Sequence, residues 1–218
     1  MHGADGHTEG RIYTEQVLLD LGIQPAKNIE QSQEQLRTHY FSYLPIRNFC
    51  PKLHELINMR SLMGLRSPVH TLVRLINPLN ATHTIQGIFH PSYRQVHQKA
   101  ALLLNQEYMA VLKGEGGETE RNPDTECLVQ SVIQQQLIDE TWPALFSKRH
   151  LKEEILNPLH MQEVWMDHKK NEFAEATIIS TTAIALKLLN KASDQTEAIN
   201  LAEKYWKNRS TEFLPNQL

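Results

Sequence analysis

TIQGIFHPSYRQVHQKAALLLNQEYMAVLKGEGG, Thr84 to Gly117, decides the fold class. Thr84–Phe89 has the short, apolar character of a strand. Pro91–Asn105 predicts a helix, with Val96, Ala100, Leu103 and Leu104 facing inward. Tyr108–Leu112 is a continuous apolar run, as expected for a buried strand. A glycine turn, GEGGE, follows it. Strand, helix, strand and turn in that order make a βαβ unit, and strands joined by a helical crossover lie parallel. The expected fold class is therefore α/β, a mostly parallel sheet flanked by helices.

Toward the amino terminus, Val17, Leu18 and Leu21 share one face of a helix over Thr14–Leu21, and Gly22 suits its C′ position. Gln24–Glu34 reads as a polar linker, and Tyr40–Pro45 as a short β-like run. Pro51–Met63 predicts a helix with Leu53, Leu56, Ile57 and Met63 as its apolar stripe and Gly64 at its end. Ser67-Pro68 opens another, since serine caps well and proline suits the first helical position. Asn77-Pro78 stops it. Together these give a helical insertion near 49–66. Toward the carboxyl terminus, Cys127–Ile133 is expected as an edge strand. Ala174–Asn190 is expected as a buried helix. Ser193 is expected to cap a last helix through Trp206, with Ala198, Leu201, Ala202 and Tyr205 on one face. Residues 1–210 form the expected α/β domain, and 211–218 a tail.

The chain has 218 residues, of which 40% are hydrophobic and 22% charged. That is ordinary for a globular domain. A net charge of −3 excludes a protein that is basic all over, but not a local basic patch. Cys50 and Cys127 lack metal-ligand spacing and read as free thiols. No apolar run approaches the roughly 18 residues of a membrane span, and no signal peptide is visible. A cytoplasmic protein is expected, with no membrane partner.

From Arg47 to Arg74 there are five Lys/Arg (Arg47, Lys52, Arg60, Arg66, Arg74) and one acid, Glu55. His70 and Arg74, four apart, share a helix face, and Arg66 precedes the cap. A helix start flanked by arginine suits an anion: phosphate, carboxylate or a nucleic-acid backbone. A solvated face with ordinary salt bridges has the same composition. Glu115, Glu118 and Glu120, in a glycine turn after a buried strand, could hold Mg²⁺ together with a substrate phosphate. The backbone of HGADGHTEG, from His2, could cradle an anion. The eleven histidines show no zinc spacing.

In this order the pieces resemble the anthranilate phosphoribosyltransferase family (glycosyl transferase family 3), over His2 to about Arg209. The family's "HG" phosphate loop resembles His2-Gly3, and its "LGxRT" segment Met63 to Ser67, preceded by Arg60. Its helix ending in "NP" resembles the stretch to Asn77-Pro78, its "xVxGVxxP" strand Ile85 to Pro91, and its "HGxxG" turn Lys113 to Gly117. The resemblance implies an α/β domain beside a small helical one, with the site between them. It implies phosphoribosyl transfer from phosphoribosyl pyrophosphate, with Mg²⁺, to an aromatic or other small acceptor. Arg60 matches the arginine that meets the acceptor's carboxylate. His2, Gly3, Arg66 and His70 fall among the substrate- or anion-binding positions.

Several positions depart from the pattern. The family's metal pair falls on Thr119 and Glu120, leaving Glu120 as the metal ligand. Its Asn-Arg and Ser-Ser after "HG" become Ala4-Asp5 and Thr8-Glu9. "FNLLGPL" becomes VHTLVRL, Val69–Leu75, which adds His70 and Arg74. Family segments expected before His2, including a glycine-rich pyrophosphate loop, have no counterpart here, so the chain is expected to be a carboxy-terminal portion that exposes apolar surface. These departures resemble the TrpD-like branch with YbiB-type proteins, through Phe49–Leu53 and His70–Leu75. That branch implies an alternative: a non-catalytic homodimer that binds DNA or RNA without sequence preference, through Arg47, Lys52, Arg60, Arg66 and Arg74.

Overall fold

The computed structural model describes residues 1–4, 12–64, 68–151 and 157–211. Arg66, Ser67, His7, Asp5, Thr8, Glu9 and the side chain of Met63 lie outside what it describes. In chain order, β1 (His2–Gly3) is followed by α1 (Thr14–Asp20), α2 (Ile29–His39) and β2 (Leu44–Pro45). Four short helices come next: α3 (Ile46–Phe49), α4 (Pro51–Asn58), α5 (Arg60–Met63) and α6 (Val69–Leu72), the last running into a 3-10 turn, Val73–Leu75. Then come β3 (His83–Ile88), α7 (Tyr93–Leu103), β4 (Tyr108–Lys113), a 3-10 turn at Glu115–Gly117, β5 (Cys127–Ile133) and β6 (Gln136–Trp142). Helices α8 (Pro158–Trp165), α9 (Glu172–Leu188) and α10 (Gln195–Lys207) close the chain. The elements fall into two compact units, one of residues 1–79, 153–169 and 210–218, the other of 80–152 and 170–209.

In the first unit β1 pairs parallel with β2, His2 opposite Leu44 and Gly3 opposite Pro45. Ile46, Ile57 and Val73 form its core, with Phe49, Leu53, Val69 and Ile76 packed around them. The expected linker is helical from Ile29. Asn28 caps α2 by accepting from the Gln31 amide at 2.8 Å. Its buried contact is a hydroxyl pair, Ser32 with Ser42 at 2.9 Å. A helix held by capping and hydroxyls carries no apolar period, so composition alone read it as linker. Tyr40 ends it in the left-handed region, and only Leu44–Pro45 of the expected β run forms a strand. The helix expected over Pro51–Met63 breaks at Met59, and Leu56 is exposed while Ile57 is buried. Gly64 ends α5 at φ 68°, as its place in the sequence suggests.

In the second unit β3–β4–β5–β6 form one sheet. The βαβ expectation holds: β3 and β4 are parallel, joined by α7. Beyond them the sheet is antiparallel, so the α/β sheet is mixed. β4 is buried on both faces. Tyr108, Ala110 and Leu112 face the core built with α9 and α10, and Met109 and Val111 face α7. β5 is interior and not an edge. The edges are β3 and β6, and the QLIDETW of β6 is polar and mostly exposed.

The face of α7 differs from the reading of its apolar residues. Val96, Leu103 and Leu104 are exposed, while His97, Gln98 and Ala101 are buried. Gln98 Nε2 donates to the Ser131 carbonyl at 2.9 Å and to Asp139 Oδ1 at 3.0 Å. His97 Nδ1 lies 2.8 Å from Gln86 Oε1. Hydrogen bonds to the sheet, which satisfy polar groups in the core, orient this helix against its hydrophobic pattern. At the other end of the chain Asp194 caps α10, one residue later than expected, and the Ser193 amide and hydroxyl both donate to Glu197. Ala198, Ala202 and Trp206 are buried on α10, and Tyr205 is exposed.

Candidate functional site

In the first unit His2 and Arg74 come from opposite ends of the chain segment to one place. The ring of His2 sits edge-on to Phe49, with centroids 5.7 Å apart. Its Nε2 is 2.9 Å from the Ile76 carbonyl. Burial lowers the His2 pKa, the Ile76 carbonyl opposes this, and the Arg74 charge adds to the lowering. Gly3 stands where a Cβ would lie 2.5 Å from the Tyr43 hydroxyl oxygen. Glycine is needed there to seat a buried tyrosine.

Arg60 opens α5, half-buried, and His70 lies half-buried on α6. Lys52 is exposed in the first turn of α4. Arg47 points elsewhere: it donates to both oxygens of Glu15, with Nη1 to Oε2 at 2.8 Å. Its charge is compensated by an acid 32 positions away, which a count between Arg47 and Arg74 does not see. Arg66 lies outside the described residues.

In the second unit the carboxyl end of β4 meets the start of β5 and the end of β6, so the loops 114–126 and 143–150 share one rim of the sheet. That is the ligand-binding end of parallel α/β sheets. The glycine turn is pinned to the backbone. The Gly114 amide donates to the Ile88 carbonyl at 3.1 Å. A Cβ on Gly114 would lie 1.8 Å from the Glu118 carbonyl oxygen, and one on Gly87 2.3 Å from it. Neither position admits a side chain while the turn stays in place. Glu115, Glu118 and Glu120 are all exposed on this turn. Neighbouring protein nevertheless desolvates Glu120, and that, followed by the charges of Glu118 and Glu115, raises its carboxyl pKa.

Carboxylate oxygens under mutual repulsion are a hard donor set suited to Mg²⁺. Among the described residues no three His, Cys, Asp or Glu gather into a complete cage. Sequence reasoning missed Glu15 and the pairing of Asp124 with His150, which meet across 26 residues. A visible signal existed only for Gly87, in the middle of a strand pattern. Among the described residues no helix is long and apolar enough to cross a membrane.

No family model matches the chain. Anthranilate phosphoribosyltransferase of Saccharolobus solfataricus is 23% identical over 214 residues, covering 89% of this chain and 58% of that protein. YbiB of Escherichia coli, described as uncharacterized, is 33% identical over 85 residues, covering 38% of this chain and 27% of that protein. The crystal structure of anthranilate phosphoribosyltransferase from Thermus thermophilus superposes with a TM-score of 0.80 at 18% identity, covering 99% of this chain and 66% of that one. The Saccharomyces cerevisiae enzyme in complex with PRPP and Mg gives a TM-score of 0.70 at 18% identity, covering 88% of this chain and 57% of that one. This chain therefore has the anthranilate phosphoribosyltransferase-like α/β fold, and the resemblance read from its motifs holds over most of its length. It spans 58% or less of these two curated relatives.

Proposed function

We propose that this chain, folded as the anthranilate phosphoribosyltransferases are, belongs to a protein of phosphoribosyl transfer that binds phosphoribosyl pyrophosphate with Mg²⁺. The observation that carries the reading is the alignment with such an enzyme over 89% of the chain. In the reaction the acceptor nitrogen attacks the ribose C1 carbon and pyrophosphate departs with the bond's electrons. Arg60, presenting a planar fork of donors, holds the acceptor's carboxylate. His2, Gly3, Arg66 and His70 serve the anionic substrate. Glu120 would hold Mg²⁺, and the ion's charge would offset that developing on the departing pyrophosphate.

Calorimetric titration of phosphoribosyl pyrophosphate, with and without Mg²⁺, tests this. Binding is expected only with Mg²⁺, and about tenfold weaker in E120Q, as for loss of one charge-assisted contact. Folded protein that binds none at millimolar ligand overturns the reading.

A second reading, a nucleic-acid-binding homodimer, is favoured by the stretch from Leu56 to Leu79, which contains no acid. Its contacts are Lys52, Arg60, Arg66 and Arg74. Arg47 contributes little because Glu15 already compensates it. Titration of a labelled single-stranded oligonucleotide at two salt concentrations separates the readings, since phosphate contacts give a steep loss of affinity with salt.

A further inference from the structure

We infer that the loop 143–150 and the segment 121–124 form a second anion site, for an oxyanion of the phosphate class, independent of the phosphoribosyl reading.

Asp124 and His150 are its centre. One Asp124 oxygen accepts from His150 Nδ1 at 2.7 Å, and the other from the His150 backbone amide at 2.7 Å. The Asp124 side chain is only 5% exposed. Desolvation pushes its carboxyl up, but the hydrogen bonds from His150, with the charges of His150 and Arg149, outweigh this and hold it below the ordinary value. The carboxylate therefore persists and keeps the proton on Nδ1. The tautomer and ring plane are set, and Nε2 is the atom presented outward.

The ring is further held by Phe146, with centroids 4.6 Å apart, and by Phe173 at 5.3 Å. Among the described residues Nε2 makes no hydrogen bond. The His150 side chain keeps 33% of its surface exposed, and the open cleft of about 320 Å³ that it lines is completed by Phe146, Ser147, Lys148 and Arg149. Apart from Phe146, the lining offers a hydroxyl, an ammonium, a guanidinium and an imidazole. Among the described residues the formal charges on this lining, Lys148 and Arg149, are both positive.

The platform is built. Besides the Asp124–His150 pair, the Leu145 amide donates to the Pro123 carbonyl at 2.8 Å. Arg121 Nη2 donates to the Pro143 carbonyl. Arg121 is fully buried, its guanidinium 5.3 Å from the Trp142 ring centroid. Three cross-links thus hold the two segments at the rim of the sheet where the parallel strands end. A preorganised donor cleft at that place recognises an anion with little reordering.

Among the described residues His150 meets the Asp124 carboxylate, and Lys148 and Arg149 line the same cleft. The test is NMR of the His150 ring in the whole chain, titrated without Mg²⁺ with inorganic phosphate and then with ribose 5-phosphate. The expected result is a saturable shift of that resonance at millimolar ligand. K148A/R149A, exposed positions, should weaken it about tenfold with unchanged melting. Tighter binding of ribose 5-phosphate assigns the cleft to monoesters, and equal binding assigns it to the bare oxyanion. A resonance that does not move, or moves equally in K148A/R149A, overturns the site. Because Mg²⁺ and Glu120 take no part, this failure is distinct from failure of phosphoribosyl pyrophosphate binding.

Discussion

At Glu120 desolvation and two neighbouring carboxylates act in one direction, and the pKa is raised above 4.5. The folded chain then holds this proton more tightly than the unfolded chain does. Stability therefore falls as pH rises from the ordinary glutamate range through the raised value. E120Q removes that loss. Thermal melts across pH should show the variant more stable than wild type near neutrality and equal to it below about pH 4.5. Equal melting at every pH would mean the carboxyl is not strained. The three glutamates were legible in the sequence, since they follow a buried strand and a glycine turn. Their mutual repulsion was not, because it depends on the turn being pressed onto Gly87 and Gly114. Arg47 gives the opposite lesson: its residue type suggested a phosphate contact, and its partner Glu15 is seen only in space.

At the level of elements, the short hairpin between β5 and β6 turns through Gln134 and Gln135, both at positive φ (48° and 66°). Two-residue hairpins favour this conformation because it matches strand twist, yet a β-carbon there costs roughly 1–2 kcal/mol. Gln134 compensates through its side-chain amide, which donates to the Tyr108 hydroxyl at 2.9 Å. Gln135 is exposed. Q135G should stabilise the chain by about 1 kcal/mol in denaturant melts, and a loss of stability would show that the turn is not of this type. No turn dipeptide announces this hairpin, so the sequence pattern shows neither β6 nor the interior place of β5. Helix α7 failed similarly. Its sheet-facing side is written in His97 and Gln98, whose partners Gln86, Ser131 and Asp139 are distant in sequence.

Across the whole chain the net charge is −3, and the basic stretch is partly cancelled by an acid outside it. E15Q should take one negative charge from the Arg47 guanidinium and delay elution from a heparin column, while R47A should elute close to wild type. A delayed E15Q with an early R47A would mean that Arg47 already meets polyanions despite its partner. The βαβ order, the buried strand β4, the glycine turn and the long carboxy-terminal helices were determined by the sequence alone, because each rests on local period, burial pattern or backbone freedom. Tertiary structure decided which charges are already paired, which face of α7 is inside, where the sheet ends, and that Asp124 meets His150. Those depend on contacts between residues far apart along the chain. Burial and Coulomb forces act on distance in space, which a linear pattern does not record.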